Sequence, residues 1–128
     1  MMDILMIIYN QLIEDEYIAE QAEGRIKFYE YPETGEVDKP FIVIDPLDDG
    51  EPIDFADNKW TKFDFLVQID VWSPNRLTTL KLGNRIRDVI WEKLGFGQIK
   101  GPNQYENGIF RKADRYRGTL YREDFDTL

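Results

Sequence analysis

The chain has 128 residues, neither Cys nor His, and a net charge of −9 from 16 basic and 25 acidic side chains. That length suits one domain with one real core. The missing residues exclude a disulfide framework, a thiolate nucleophile, imidazole acid–base chemistry and the commonest metal ligands, and the charge disfavours general binding to nucleic acid or anionic membranes.

Met2 to Glu16 is expected to be helical, because Leu5, Ile8 and Leu12 recur at spacings of three and four, with Tyr9, Ile13 and Tyr17 on an adjoining stripe. Gly24 should break the chain after it. The apolar run Ile4 to Tyr9 is too short to cross a bilayer, and it follows Asp3 rather than Lys or Arg, unlike a signal peptide. Synthesis in the cytoplasm, with no membrane partner, is expected.

Three strands should follow. In Arg25 to Tyr31, Ile26 and Phe28 alternate with Lys27, Tyr29 and Tyr31, before a turn bracketed by Pro32 and Gly35. Phe41 to Asp45 is a short β-branched run between Pro40 and Pro46. The third signal is the strongest: Phe63, Phe65, Val67, Ile69 and Val71 share one face, with Asp64, Leu66, Gln68, Asp70 and Trp72 on the other. Between the last two, residues 47–62 are expected to form a long acidic loop around Gly50 and Pro52. It has little to bury alone, so it should be mobile in a free subunit and become ordered on assembly, when Ile53, Phe55 and Trp60 find apolar surface.

A second helix is predicted with Ser73 as N-cap and Pro74 at its first position. Leu82, Ile86, Val89 and Leu94 run down its apolar side, broadened by Leu80, Ile90 and Trp91, and Gly95 suits a left-handed C-cap. Gly83 inside it costs about 1 kcal/mol relative to Ala, which implies a close approach to the sheet. After a loop, Ile109 to Tyr121 should be one long strand, with Phe110, Tyr116 and Leu120 on one face and Arg111, Arg115 and Arg117 on the other. The order α-β-β-β-α-β predicts a single α+β domain over residues 1–128, a mostly antiparallel sheet with two helices packed on one face.

Chemical motifs are sparse. Gly95-Phe96-Gly97 ends a helix instead of opening one, so it is no phosphate cradle, and no Ser lies in a Gly-x-Ser-x-Gly context. No catalytic residue, cofactor or metal site is expected, and the chain should not be an enzyme. A lesser alternative pairs Asp45 and Asp70, on adjacent strands, as a Mg²⁺-dependent nuclease site, although Val71 and Trp72 stand where a Lys usually follows the second acid. What remains is a contrast of charge. Asp48 to Asp57 holds five acids and no base, whereas Arg111 to Arg122 holds five bases against Asp114. Asp54, Phe55, Asp57 and Trp60 on one side, and Arg111, Arg115 and Arg117 on the other, are the candidate interface residues, with a second copy of the chain as partner. The alternative is a nucleic-acid-binding module using the arginine-rich strand.

Several stretches together resemble a known family: Gly24-Arg25-Ile26-Lys27-Phe28-Tyr29-Glu30-Tyr31-Pro32, Asp45-Pro46, Asp54-Phe55-Ala56-Asp57-Asn58, Ile69-Asp70-Val71-Trp72-Ser73, Trp91-Glu92-Lys93-Leu94-Gly95-Phe96 and Arg115-Tyr116-Arg117-Gly118. The chain is similar over nearly its whole length to the tail terminator, or tail-to-head joining, proteins of long-tailed bacteriophages. The resemblance implies an α+β fold and a hexameric ring at the tail–head junction of the virion. Such a ring caps the major tail tube protein, stops its polymerisation and meets the head connector, while DNA passes through the hole without sequence-specific binding. No individual site residue is carried over.

Overall fold

The computed structural model describes residues 3–32, 37–56 and 59–121, without the side chains of residues 49, 54–56 and 59–61. Among the described residues three helices and six strands follow in the order α1 (Ile4–Glu14), α2 (Glu16–Ala22), β1 (Ile26–Phe28), β2 (Phe41–Ala56), β3 (Lys59–Ser73), α3 (Arg76–Leu94), β4 (Gly97–Ile99), β5 (Asn103–Glu106) and β6 (Ile109–Tyr121). The strands form one sheet, β1-β2-β3-β6-β4, with β5 also paired to β6; all pairings are antiparallel except β1 with β2. The fold is α+β, as the sequence pattern predicts.

The core follows from two periodicities. Every second residue of β3 points to one face, so Phe65, Val67, Ile69 and Val71 are buried there against Ile4, Ile7, Ile8 and Leu12 of α1, Ile18 of α2, and Leu82, Ile86, Val89 and Ile90 of α3. Tyr116 and Phe96 complete the layer. Trp91, expected on the apolar side of its helix, is 62% exposed. Among the described residues no helix is long and apolar enough to cross a membrane.

The acidic loop expected over residues 47–62 is instead the outer half of a long β-hairpin. β2 and β3 pair from Phe41↔Trp72 to Ala56↔Lys59, with register shifts between Pro46 and Asp48 and between Asp48 and Glu51. Pro46, Gly50 and Pro52 argue for a loop only if a strand must be regular and central. Here β1 pairs with Ile42, Val43 and Ile44, so among the described residues the rest of β2 is an edge, where Pro is tolerated and bulges absorb extra residues. Gly50 takes φ 111°, and an added Cβ would lie 2.7 Å from the Phe65 ring. The backbone of residues 47–56 is therefore already paired within one chain, and the expected ordering on assembly does not apply to it. Asp57 lies outside the described residues, as does the turn placed at Gly35.

Other boundaries differ for local reasons. The first helix is two, because Asp15 leaves helical geometry and its carboxylate caps α2 by accepting from the Ile18 N–H at 3.1 Å. Asn75, not Ser73, caps α3, accepting from the Thr78 N–H at 3.0 Å; Ser73 ends β3 and Arg76 holds the first helical position expected for Pro74. The strand expected over Arg25 to Tyr31 shortens to β1, since Tyr29 turns to φ 65°. Strands β4 and β5 lie in the stretch expected to be a loop. Asn107 and Gly108, at φ 52° and 81°, join β5 to β6 as a two-residue turn. Gly95 does take the left-handed C-cap, at φ 71°.

The same Asp15 ties the helices together. Its Oδ1 accepts from Nε of Arg85 on α3 at 2.8 Å and from a terminal guanidinium nitrogen at 2.5 Å. That hydrogen bond holds the Asp15 carboxyl below its usual range, opposed by burial and aided by the Ile18 N–H. A depressed folded-state value contributes stability above the unfolded carboxyl range, and this is lost as pH falls through the folded value. Urea midpoints of the wild type and Arg85→Ala should therefore differ at pH 7 and converge in acid below the carboxylate range. An equal gap at both pH values would mean that the contact stabilises through packing alone.

Gly83 is required where α3 crosses β6. An added Cβ would lie 2.5 Å from Cδ of Lys112. Lys112 cannot swing aside freely, because its Nζ pairs at 2.8 Å with Asp114, and both side chains are almost fully buried. Asp114 also accepts from the Gly101 N–H at 2.9 Å and from Gln98 Nε2 at 3.2 Å. Gly83→Ala should gain about 1 kcal/mol in helix propensity yet lose about 1–3 kcal/mol to overpacking. Net destabilisation in urea unfolding is expected.

Candidate functional site

The sheet face opposite the helices carries the distinctive arrangement. Its residues are fixed by register: β3 presents Asp64, Leu66, Gln68, Asp70 and Trp72 there, and each has a partner on both sides. Reading across β2, β3 and β6 gives the rows Phe41–Trp72–Arg111, Val43–Asp70–Ala113, Asp45–Gln68–Arg115, Asp48–Leu66–Arg117 and Glu51–Asp64–Thr119. The two bulges in β2 make this possible, because they bring Asp48 and Glu51 onto the same face as Asp45. The result is a polarised face, with carboxylates down the β2 side and guanidinium groups down the β6 side.

Half of the face is closed. Val43, Asp70 and Ala113 are buried although no helix covers them. Over them, the Arg111 guanidinium lies 5.4 Å from the Tyr31 ring and 4.9 Å from the Trp72 ring. It also donates to Asp70 Oδ2 from Nε at 2.8 Å and from a terminal nitrogen at 2.6 Å. Gln68 Nε2 satisfies the other Asp70 oxygen at 2.9 Å. The Tyr31 hydroxyl donates to Asp45 Oδ2 at 2.8 Å, which latches the β1–β2 connection over this half. Burial and the neighbouring Asp45 push the Tyr31 hydroxyl up to about 12.

The other half is open. Arg117 reaches Asp64 at 3.1 Å but stays 59% exposed. Arg115 is exposed and, among the described residues, has Gln68 Oε1 at 3.5 Å and no carboxylate. Beyond them lies β4, where Ile99 stands beside Arg115 and Gly97 beside Arg117. Glu51 is exposed on the opposite side.

The structure thus divides the three expected arginines. Arg111 is a structural clamp, and only Arg115 and Arg117 are presented. Of the residues expected on the opposing side of the interface, Asp54, Phe55 and Trp60 lie on the far part of the hairpin, where Phe55 pairs with Trp60 and no third strand accompanies them among the described residues. Asp45 and Asp70 share the face but are committed to Tyr31, Arg111 and Gln68. Among the described residues no group of three or more Asp or Glu side chains is placed to hold a metal ion. No protein-family model and no curated protein sequence matches the chain.

The two outer arginines of the column should behave very differently. Arg111→Ala leaves a carboxylate that is 1% exposed without its cation, which should cost about 3 kcal/mol. Arg117→Ala removes an exposed pair worth about 0–1 kcal/mol. Equal losses in urea unfolding would contradict this division between clamp and surface.

Proposed function

We propose that the chain is a structural phage tail protein, a tail terminator that assembles as a ring on the tail tube, stops its polymerisation and provides the surface for the head connector. The observation that carries this reading is the polarised sheet face. One subunit holds two separate, oppositely charged columns on a rigid sheet, as a heterologous, ring-forming contact requires. The hairpin supports it further, since among the described residues its last rungs, Phe55↔Trp60 and Ala56↔Lys59, extend beyond the rungs that β6 accompanies. The family resemblance supplies the setting: a hexamer whose partners are itself, the tube protein and the connector, in the virion.

The nucleic-acid alternative fits the same face less well. Its arginines are interleaved with Asp45, Asp64 and Asp70, and two of the three already pair with carboxylates, so the field presented to a phosphate backbone is weak. The nuclease alternative would need Asp70 to give up Arg111.

Deleting the gene in the phage tests the proposal. Tails should become overlong and remain headless, because nothing halts addition at the tube end. Tails of normal length joined to heads would overturn it.

A further inference from the structure

Resting on that ring reading, we infer that the ring closes by lateral, head-to-tail contact between opposite sides of the sheet: the Arg115/Arg117 column of one copy, reaching over the short β4, lies against the Asp48/Glu51 column of the next. The occupant of each side is a second copy of this chain.

Three observations lead there. First, the columns are complementary, but β3 lies between them in every row. The columns stand two strand spacings apart, about 9–10 Å, and neither Asp48 nor Glu51 forms an ion pair with Arg115 or Arg117 within one chain, where Arg117 pairs with Asp64 and Arg115 meets Gln68. Second, the acidic column is on a bare side of the sheet, and the basic column stands behind one short strand only. β1 covers β2 only at residues 42–44, so Asp48 and Glu51 are on an edge among the described residues. On the other side Arg115 and Arg117 lie one strand in from the edge, behind the three-residue β4, which places Ile99 beside Arg115 but no side chain at Gly97 beside Arg117, so that the long Arg117 side chain has an open path over β4. Third, the closed half of the face, latched by Tyr31 and Arg111, offers no comparable charge, which confines the contact to the hairpin end. Pro46, Pro52 and the bulges of β2 interrupt a continuous backbone ladder, so side-chain charge sets the register.

This differs from a contact through the acidic segment as a whole. It places the charge pairing on Asp48 and Glu51 instead of Asp54 and Asp57, and it removes Arg111 from the interface.

Two doubly reversed variants test it: Arg115→Glu with Arg117→Glu, and Asp48→Lys with Glu51→Lys. Each variant places like charges at every contact of a homogeneous ring. In an equimolar mixture, strict alternation makes every contact attractive again. Native mass spectrometry at low salt should show rings for the wild type, their loss for each variant alone, and their return in the mixture with both masses in equal number. Glu51→Lys alone, at an exposed position, should weaken rings in the same direction, and far-ultraviolet circular dichroism should match the wild type for all variants. Rings formed by either doubly reversed variant alone would overturn this interface while leaving the ring reading intact. A mixture without rings, despite folded variants and wild-type rings, would overturn it as well. A wild type that forms no ring in solution or on tail tubes would remove the ring reading itself.

Discussion

Strand β3 is the constraint on which the rest of the structure depends. It is paired along most of its length on both sides, so its alternation of side chains is imposed on β2 and β6 together. Phe65, Val67, Ile69 and Val71 commit one face to the helices. Asp64, Gln68 and Asp70 then necessarily stand on the other face, and a slip of one residue would put three polar side chains into the core. The polarised surface is therefore a consequence of the core. It cannot drift without unfolding the domain.

Charge is used in two physically different ways around that strand. Lys112 with Asp114, and Arg111 with Asp70, are withdrawn from water and surrounded by further donors and acceptors. Such pairs add little net stability over an apolar pair but penalise every arrangement that separates the partners. They fix where β6 sits under α3 and where the β1–β2 connection lies. Arg115, Arg117 and Glu51 remain in water, where each contact is weak and screened. Weak exposed charges suit a joint that must find its register quickly and reject wrong neighbours, because complementary potentials govern encounter and specificity more than affinity.

Most of the fold was legible in the sequence because period-2 and period-3.6 patterns are strong in β3, α3 and β6. Gly83 and Gly95 were interpretable for the same reason, as each has one steric explanation. The far half of the hairpin was misread because Gly50, Pro46 and Pro52 carry opposite meanings in a loop and in a bulged edge strand, and only sheet order distinguishes them. Strand β5 left a usable signal in Asn107-Gly108, the residue pair favoured in two-residue hairpin turns. The site was half legible. The arginine column follows from alternation in β6. The carboxylate column does not, because two bulges reset the parity of β2 between Asp45 and Glu51.

The separation of the columns bears on when a ring would form. A subunit joining an open chain of copies makes one weak lateral contact, whereas the last subunit makes two and converts the second into an intramolecular event at high effective concentration. Open intermediates built on exposed charge alone are short-lived at physiological salt, and the closed ring is favoured over all of them. A template that holds several copies side by side supplies the same advantage before closure. The end of a symmetric tube is such a template. On the proposed ring reading, the weakness of each Arg115 and Arg117 contact would keep single subunits apart at physiological salt and let assembly become favourable only at the tail tip.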